Sequence, residues 1–176
     1  RAIREVDRVV GRDAARVELG LPTDRFLIAV TGGSQGSGAL NAGILAYAAD
    51  RRSGADLAIY HVAGERFAAA VVDVADDAAA PRALVHRIVG YERRMDLVYA
   101  AADLLVGRGG ASTVAEVAVT GTPSVLVPWA GAAEDHQTGN VRWLADQGGA
   151  VHLPEAQLDA LASAVDGLRA SPERLA

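Results

Sequence analysis

Residues 26–38 read Phe26-Leu-Ile-Ala-Val-Thr-Gly-Gly-Ser-Gln-Gly-Ser-Gly38. The first six form an apolar run closed by Thr31, the pattern of a strand buried on both faces, as in a parallel sheet. The seven that follow hold four glycines, more than a plain strand-to-helix turn needs. After them, residues 38–51 are Ala-rich with helical spacing. Strand, glycine-rich turn and helix in this order open a βαβ unit, in which free N–H groups at the helix start favour a phosphate.

The same alternation runs outward through the chain. Apolar runs at 57–62, 83–89, 104–106, 124–127 and 150–153 read as further strands. Segments 65–74, 94–101, 113–119, 137–147 and 155–169 read as helices between and after them. The expected fold is therefore α/β, a doubly wound parallel Rossmann-like sheet with ligands at the carboxyl ends of its strands. Upstream, residues 1–19 are rich in Arg, Asp and Glu, with Ile3, Val6, Val9 and Val10 at rough helical spacing. Such a domain ordinarily opens on a strand, so residues 1–25 are expected to be a helical lead-in from an interdomain region. Residues 26–176 are expected to form the binding domain.

Composition narrows the function. The 176 residues are 51% hydrophobic and 22% charged, with a net charge of −5, which suits a globular protein and argues against nucleic acid as a partner. The absence of cysteine removes disulfides and thiolate metal sites. The charge-free stretch 117–133 is broken by Gly121, Pro123, Pro128 and Gly131, so it reads as a strand with turns and not as a membrane span.

Two more loops follow strands. Gly107-Arg-Gly-Gly-Ala-Ser-Thr-Val-Ala-Glu116 places a second glycine pair before a helix, with Ser112 or Thr113 as the expected N-cap. Thr113 and Glu116 fit a capping box, which competes with a ligand role for Glu116. Two such turns on one sheet would aim two helix N-termini at one crevice, which suits a diphosphate. The third loop, Pro128 to Asn140, gathers Glu134, Asp135, His136, Gln137, Thr138 and Asn140, side chains able to read sugar hydroxyls; its simpler reading is a surface helix capped by Asp135. Of the histidines, His61, His86 and His152 lie in or beside apolar strands and read as structural, while His136 reads as a ligand contact. The first loop is not a dinucleotide fingerprint, because Asn41 stands at the third glycine position, and it lacks the lysine of a Walker loop.

Taken in series, these segments resemble the MurG-like glycosyltransferases, family 28. The resemblance rests on Thr31–Gly36 with Asn41, on Tyr91 to Met95, on Arg108-Gly-Gly-Ala-Ser-Thr-Val-Ala-Glu116, on Gly121-Thr-Pro-Ser-Val-Leu-Val-Pro128 and on Asp135-His-Gln-Thr-Gly-Asn140. It implies the C-terminal half of a GT-B fold, which binds UDP-N-acetylglucosamine for inverting transfer to a lipid-linked muramoyl-pentapeptide.

By the same resemblance, Gly33, Ser34 and Gln35 would hold the diphosphate. Tyr91 and Met95 would flank the uracil, and Glu116 would accept the ribose hydroxyls. Arg108, Ala111 and Ser112 would face phosphate or sugar, and His136, Gln137 and Asn140 would read the N-acetylglucosamine. Arg1 is a candidate remnant of a phosphate-binding arginine. No catalytic residue is expected in this chain, since the base and the acceptor site belong to an N-terminal domain or a partner acceptor subunit.

No cofactor and no obligatory metal are implied, and the sequence has no Asp-x-Asp motif. The intact enzyme would be cytoplasmic and peripheral at the inner face of the cell membrane. His136 stands where many family members have a second glutamine, and Gly90 to Met95 depart from the usual uracil segment. A donor subunit from antibiotic or polysaccharide biosynthesis, or a binding module without transfer activity, would share these loops.

Overall fold

The computed structural model describes residues 8–76, 83–132 and 135–175. Helix α1 (Arg8–Glu18) precedes β1 (Phe26–Thr31), α2 (Gly38–Asp50), β2 (Leu57–Val62), α3 (Glu65–Asp76) and β3 (Val85–Val89). The second half runs α4 (Met95–Ala101), β4 (Leu104–Arg108), α5 (Ala111–Thr120), β5 (Ser124–Val127), α6 (His136–Asp146) and β6 (Val151–His152). A 3₁₀ segment (Glu155–Ala160) then leads into α7 (Leu161–Arg169).

All strand pairs are parallel, in the order β3-β2-β1-β4-β5-β6. The sheet grows outward from β1 to β3, crosses back, and grows the other way from β4. The point of reversal lies between β1 and β4, whose register pairs Thr31 with Gly107. A crevice therefore opens where the two glycine-rich turns leave the sheet.

The continuous apolar strands are explained by two cores. Leu27 and Ala29 of β1, Tyr60 of β2 and Leu105 of β4 point into a core closed by residues of α1, α4, α5 and α6. Their neighbours Ile28, Val30, Ile59, Leu104 and Val106 point the other way, onto Leu40 and Ile44 of α2 and Leu161 and Val165 of α7. Both sets are buried, so alternation along a strand divides apolar residues between two cores instead of between core and water. Each fully buried Leu or Ile contributes about 1.5–3 kcal/mol.

At the amino ends of the strands, Arg16 of α1 is 2% exposed. Its Nε donates to the Ala101 carbonyl at 2.9 Å, and Nη1 donates to the carbonyls of Thr23 (3.1 Å) and Arg25 (3.0 Å). Nη2 pairs with Asp103 at 2.6 Å, and the same Asp103 oxygen accepts the Leu27 N–H at 2.8 Å. This network fastens α1 to β1 and to the loop before β4.

Several segment limits differ from the sequence expectation. The strand expected at 83–89 begins at Val85, because the N–H groups of Ala83 and Leu84 both turn back to the Arg52 carbonyl. The strand expected at 104–106 continues to Arg108, where β5 supplies a pairing edge. The strand expected at 150–153 is reduced to two residues paired on β5 alone. The helix expected at 155–169 is divided, with Gln157 at φ −114° and ψ 26° breaking regular geometry. Arg1, Ile3, Val6 and Glu134 lie outside the described residues. Among the described residues no helix is long and apolar enough to cross a membrane.

Candidate functional site

A cleft of about 630 Å³ opens at the carboxyl ends of β1 and β4. Four helix starts meet there: Gly38 and Ala39 of α2, Arg66 of α3, Ala111 to Thr113 of α5, and Gln137 of α6. Trp129 and Glu155 complete the wall. First-turn N–H groups have no intrahelical acceptor, so α2 and α5 present donors and the positive ends of their dipoles to one space.

The β1–α2 loop forms a tight turn. Thr31 Oγ1 accepts the Gly33 N–H at 3.3 Å, and the Gly36 N–H reaches back to the Gly33 carbonyl at 3.0 Å. Gly33 has φ +78°, in the left-handed region, with open space where a Cβ would stand. Gly36 is closed in: an added Cβ would lie 2.5 Å from the Ala63 carbonyl oxygen, and one on Gly64 would lie 2.6 Å from the Gly36 Cα. The loops after β1 and β2 thus touch backbone to backbone. Ser34 and Gln35 at the tip are exposed, and no protein acceptor among the described residues takes their N–H groups.

Ser37 caps α2, accepting the Leu40 N–H at 3.2 Å, and its hydroxyl also accepts from Arg108 at 2.6 Å. The Arg108 guanidinium is buried in the cleft floor, where it pairs with Glu155 and donates to the Val127 and Pro128 carbonyls. Burial pushes the Glu155 carboxyl up, but the Ala130 N–H at 2.9 Å and Arg108 outweigh it and hold the group below its ordinary value. The pair is therefore ionised, and most of the Arg108 charge is neutralised within the protein.

The capping prediction for α5 is overturned. Its N-cap is Gly110, extended at φ −63° and ψ 149°, so the helix starts at Ala111 and takes in Ser112 and Thr113. Thr113 is therefore not a cap, and the Thr113–Glu116 capping box does not form. The first helical residue, Ala111, precedes both expected caps, so Ser112 and Thr113 stand inside the first turn. Glu116 instead accepts the hydroxyl of Tyr99 at 2.7 Å, and burial together with this carboxylate pushes the Tyr99 phenol upward. Asp135 does occupy the N-cap position of α6, but at φ 52° and with no side-chain bond to a helix N–H; its carboxylate accepts the Thr138 hydroxyl at 2.5 Å.

Of the residues singled out from the sequence, Gly33, Ser34, Gln35, Arg108, Ala111, Ser112 and Gln137 line the cleft. Gln137 accepts the Trp129 N–H at 3.0 Å, which leaves its amide NH₂ as a donor. Tyr91, Met95, Glu116, His136 and Asn140 lie outside the lining. Asn140 donates to the Gly109 carbonyl at 3.4 Å and steadies the β4–α5 turn. Tyr91 and His136 are exposed, and Met95 packs against the core under α4.

Arg66, Trp129 and Glu155 were not singled out from the sequence. Glu65 and Arg66 follow β2 as Ser34 follows β1, so the rule that placed Ser34 would have found Arg66.

Below the cleft, Asn41 and His61 form a buried polar link: Asn41 donates to the Ala63 carbonyl at 3.0 Å and accepts from His61 Nε2 at 2.9 Å. The opposite His61 nitrogen faces His86 Nε2 at 3.4 Å. Burial and the neighbouring His86 lower the His61 pKa to about 3. His61 and His86 are structural, as expected. Among the described residues no group of three or more His, Asp or Glu is arranged to hold a metal ion.

Comparison with known proteins matches residues 27–176 to the glycosyltransferase family 28 C-terminal domain. A Salinibacter ruber protein is 42% identical over 148 residues, 84% of this chain and 39% of that protein. A Nocardioides protein is 38% identical over 176 residues, 99% of this chain and 47% of that protein. Both carry the name UDP-N-acetylglucosamine–N-acetylmuramyl-(pentapeptide) pyrophosphoryl-undecaprenol N-acetylglucosamine transferase. Among solved structures, MurG of Acinetobacter baumannii superposes with TM-score 0.73 at 30% identity, over 90% of this chain and 44% of that one. The kitacinnamycin glycotransferase, at TM-score 0.56 and 20% identity over 88% of this chain and 38% of that one, shares the fold. The chain spans about two fifths to one half of the length of these relatives.

Proposed function

Because this chain belongs to glycosyltransferase family 28 through that family's C-terminal domain, we propose that it is the donor-binding half of a MurG-type enzyme. It binds UDP-N-acetylglucosamine for transfer of the sugar to a lipid-linked muramoyl-pentapeptide. The observation that carries this reading is the convergence of the α2 and α5 N-termini on one cleft at the switch point.

In this reading the Ser34 and Gln35 N–H groups, the Ser34 hydroxyl and the first-turn N–H groups of Ala111 and Ser112 hold the diphosphate. The uracil lies toward Tyr91 and Met95, the ribose hydroxyls meet Glu116, and His136, Gln137 and Asn140 face the sugar. Gly33 lets the backbone approach the phosphates. In the transfer, an acceptor hydroxyl oxygen bonds to the anomeric carbon as the bond from that carbon to the diphosphate oxygen breaks. UDP leaves with the electron pair, and the hydroxyl proton passes to a base outside this chain. Oriented N–H groups stabilise the charge developing on the leaving diphosphate, and the transfer needs no obligatory metal or cofactor. The acceptor-binding domain is a further segment or a partner subunit, and the whole enzyme works at the inner face of the cell membrane as a peripheral protein.

Calorimetric titration of the 176-residue chain tests the reading. UDP-N-acetylglucosamine is expected to bind, UDP to compete, and UDP-glucose to bind more weakly. With a lipid-linked muramoyl acceptor the chain alone is expected to give no turnover, and activity to appear when a family N-terminal domain is supplied. Failure of UDP to bind, or sustained turnover by the chain alone, overturns it.

A further inference from the structure

The charges around the cleft are unevenly committed. Arg108 and Glu155 cancel each other in the floor. Arg66 is exposed on the first turn of α3 and lines the same cleft, yet no carboxylate among the described residues pairs with it. Its guanidinium lies over the ring of Phe67, 4.5 Å from the centroid. That ring is in turn pressed against the glycine loop: a Cβ on Gly36 would come within 2.9 Å of Phe67 Cδ2, and one on Gly38 within 3.4 Å of Cε1. The aromatic ring is a shelf between the β1–α2 loop and the arginine. It orders a long side chain beside the loop tip without consuming any of its N–H donors.

We infer that Arg66 is a further donor-binding residue, which closes its guanidinium onto the diphosphate of the nucleotide sugar from the α3 side of the cleft. This rests on the donor-binding reading above. A diphosphate on the Ser34–Gln35 tip would meet backbone donors from β1–α2 and α5 but no other uncommitted cation among the lining residues. Planar N–H pairs of an arginine match phosphate oxygens two at a time. During transfer the negative charge on the leaving diphosphate grows, so Arg66 holds the product form more tightly than the intact sugar nucleotide and assists departure.

The test compares Arg66→Gln with Arg52→Gln, which removes the same charge from an exposed turn at the amino end of β2. Each is titrated with UDP, UMP and uridine at two ionic strengths. For Arg66→Gln, UDP affinity is expected to fall about tenfold, UMP affinity by less, and uridine affinity not at all. The salt dependence of UDP binding should also become shallower. Arg52→Gln should leave all three ligands as in the wild type. If the wild type binds UDP and Arg66→Gln binds it equally well, Arg66 is not a diphosphate ligand, while the donor-binding reading stands. An equal loss for uridine and UDP would mean that the substitution acts through the loop packing, and would also overturn the assignment. If the wild-type chain fails to bind UDP, both readings fall.

Discussion

Arg16 and Arg66, at opposite ends of the sheet, are held in opposite ways. At the amino end, Arg16 is buried and gives hydrogen bonds to three carbonyls and to Asp103, all from the chain itself. At the carboxyl end, Arg108 is likewise buried and committed to Ser37, Glu155 and the Val127 and Pro128 carbonyls, whereas Arg66 stands open on an aromatic ring. A polar group that is fully satisfied inside the fold contributes to stability and has nothing left for a ligand. The carboxyl end leaves the Ser34 and Gln35 N–H groups without a protein acceptor among the described residues, which suits it to the ligand proposed above.

Breaking the amino end should have the largest effect. Arg16→Ala removes one member of a buried ion pair and strips partners from the Ala101, Thr23 and Arg25 carbonyls. It should cost about 3–5 kcal/mol of folding stability, read from urea unfolding, while UDP affinity of the protein that remains folded stays unchanged. Wild-type stability would mean that Asp103 and α1 do not depend on this arginine.

The next effect concerns the uncharged polar link below the cleft. The His61 pKa is lowered to about 3 from an ordinary 6.5, so between those values the unfolded chain takes up a proton that the folded chain refuses. The stability it contributes is complete above 6.5 and is lost as pH falls toward 3. From pH 7 to pH 5 the loss from this one group should be about 2 kcal/mol. Urea unfolding at the two pH values measures it, and His61→Asn should flatten that dependence. An imidazole resonance of His61 that titrates near neutrality would refute it.

The smallest effect sharpens the binding end. Glu116→Gln keeps an oxygen that can accept from Tyr99, so the melting temperature should barely move. UDP binding should weaken by about 1–2 kcal/mol through loss of charge-assisted acceptance of the ribose hydroxyls. A 2′,3′-dideoxyuridine diphosphate should be nearly indifferent to the change. Equal losses for both ligands would return Glu116 to a purely structural role toward Tyr99.

Much of this was legible from residues 26–38, because a strand buried on both faces and a glycine-rich turn are written locally. The α/β class and the parallel sheet followed from the same pattern repeated along the chain, and the second glycine turn from residues 107–110. What was not legible depends on distant partners. Ser112 and Thr113 have good capping chemistry, but the helix begins at Ala111, before either of them, and Gly110 takes the cap position. Glu155 reads as the start of an ordinary helix until the fold brings Arg108, 47 residues earlier, to its carboxylate. Glu116 looked like a local capping partner because its true neighbour, Tyr99, lies on another helix.

The contact between Gly36 and Gly64 leaves no clearance, since a single methyl on either would drive into the other loop or the peptide beside it. The wall formed by the loops after β1 and β2 is therefore a fixed jaw. Its two halves cannot be spaced apart by side chains, nor can they slide together. The opposing wall is close-packed as well: a Cβ on Gly109 would collide with Val141 Cγ2 and lie 3.0 Å from the Gln137 carbonyl oxygen, so the turn before α5 is pinned against α6 with as little clearance.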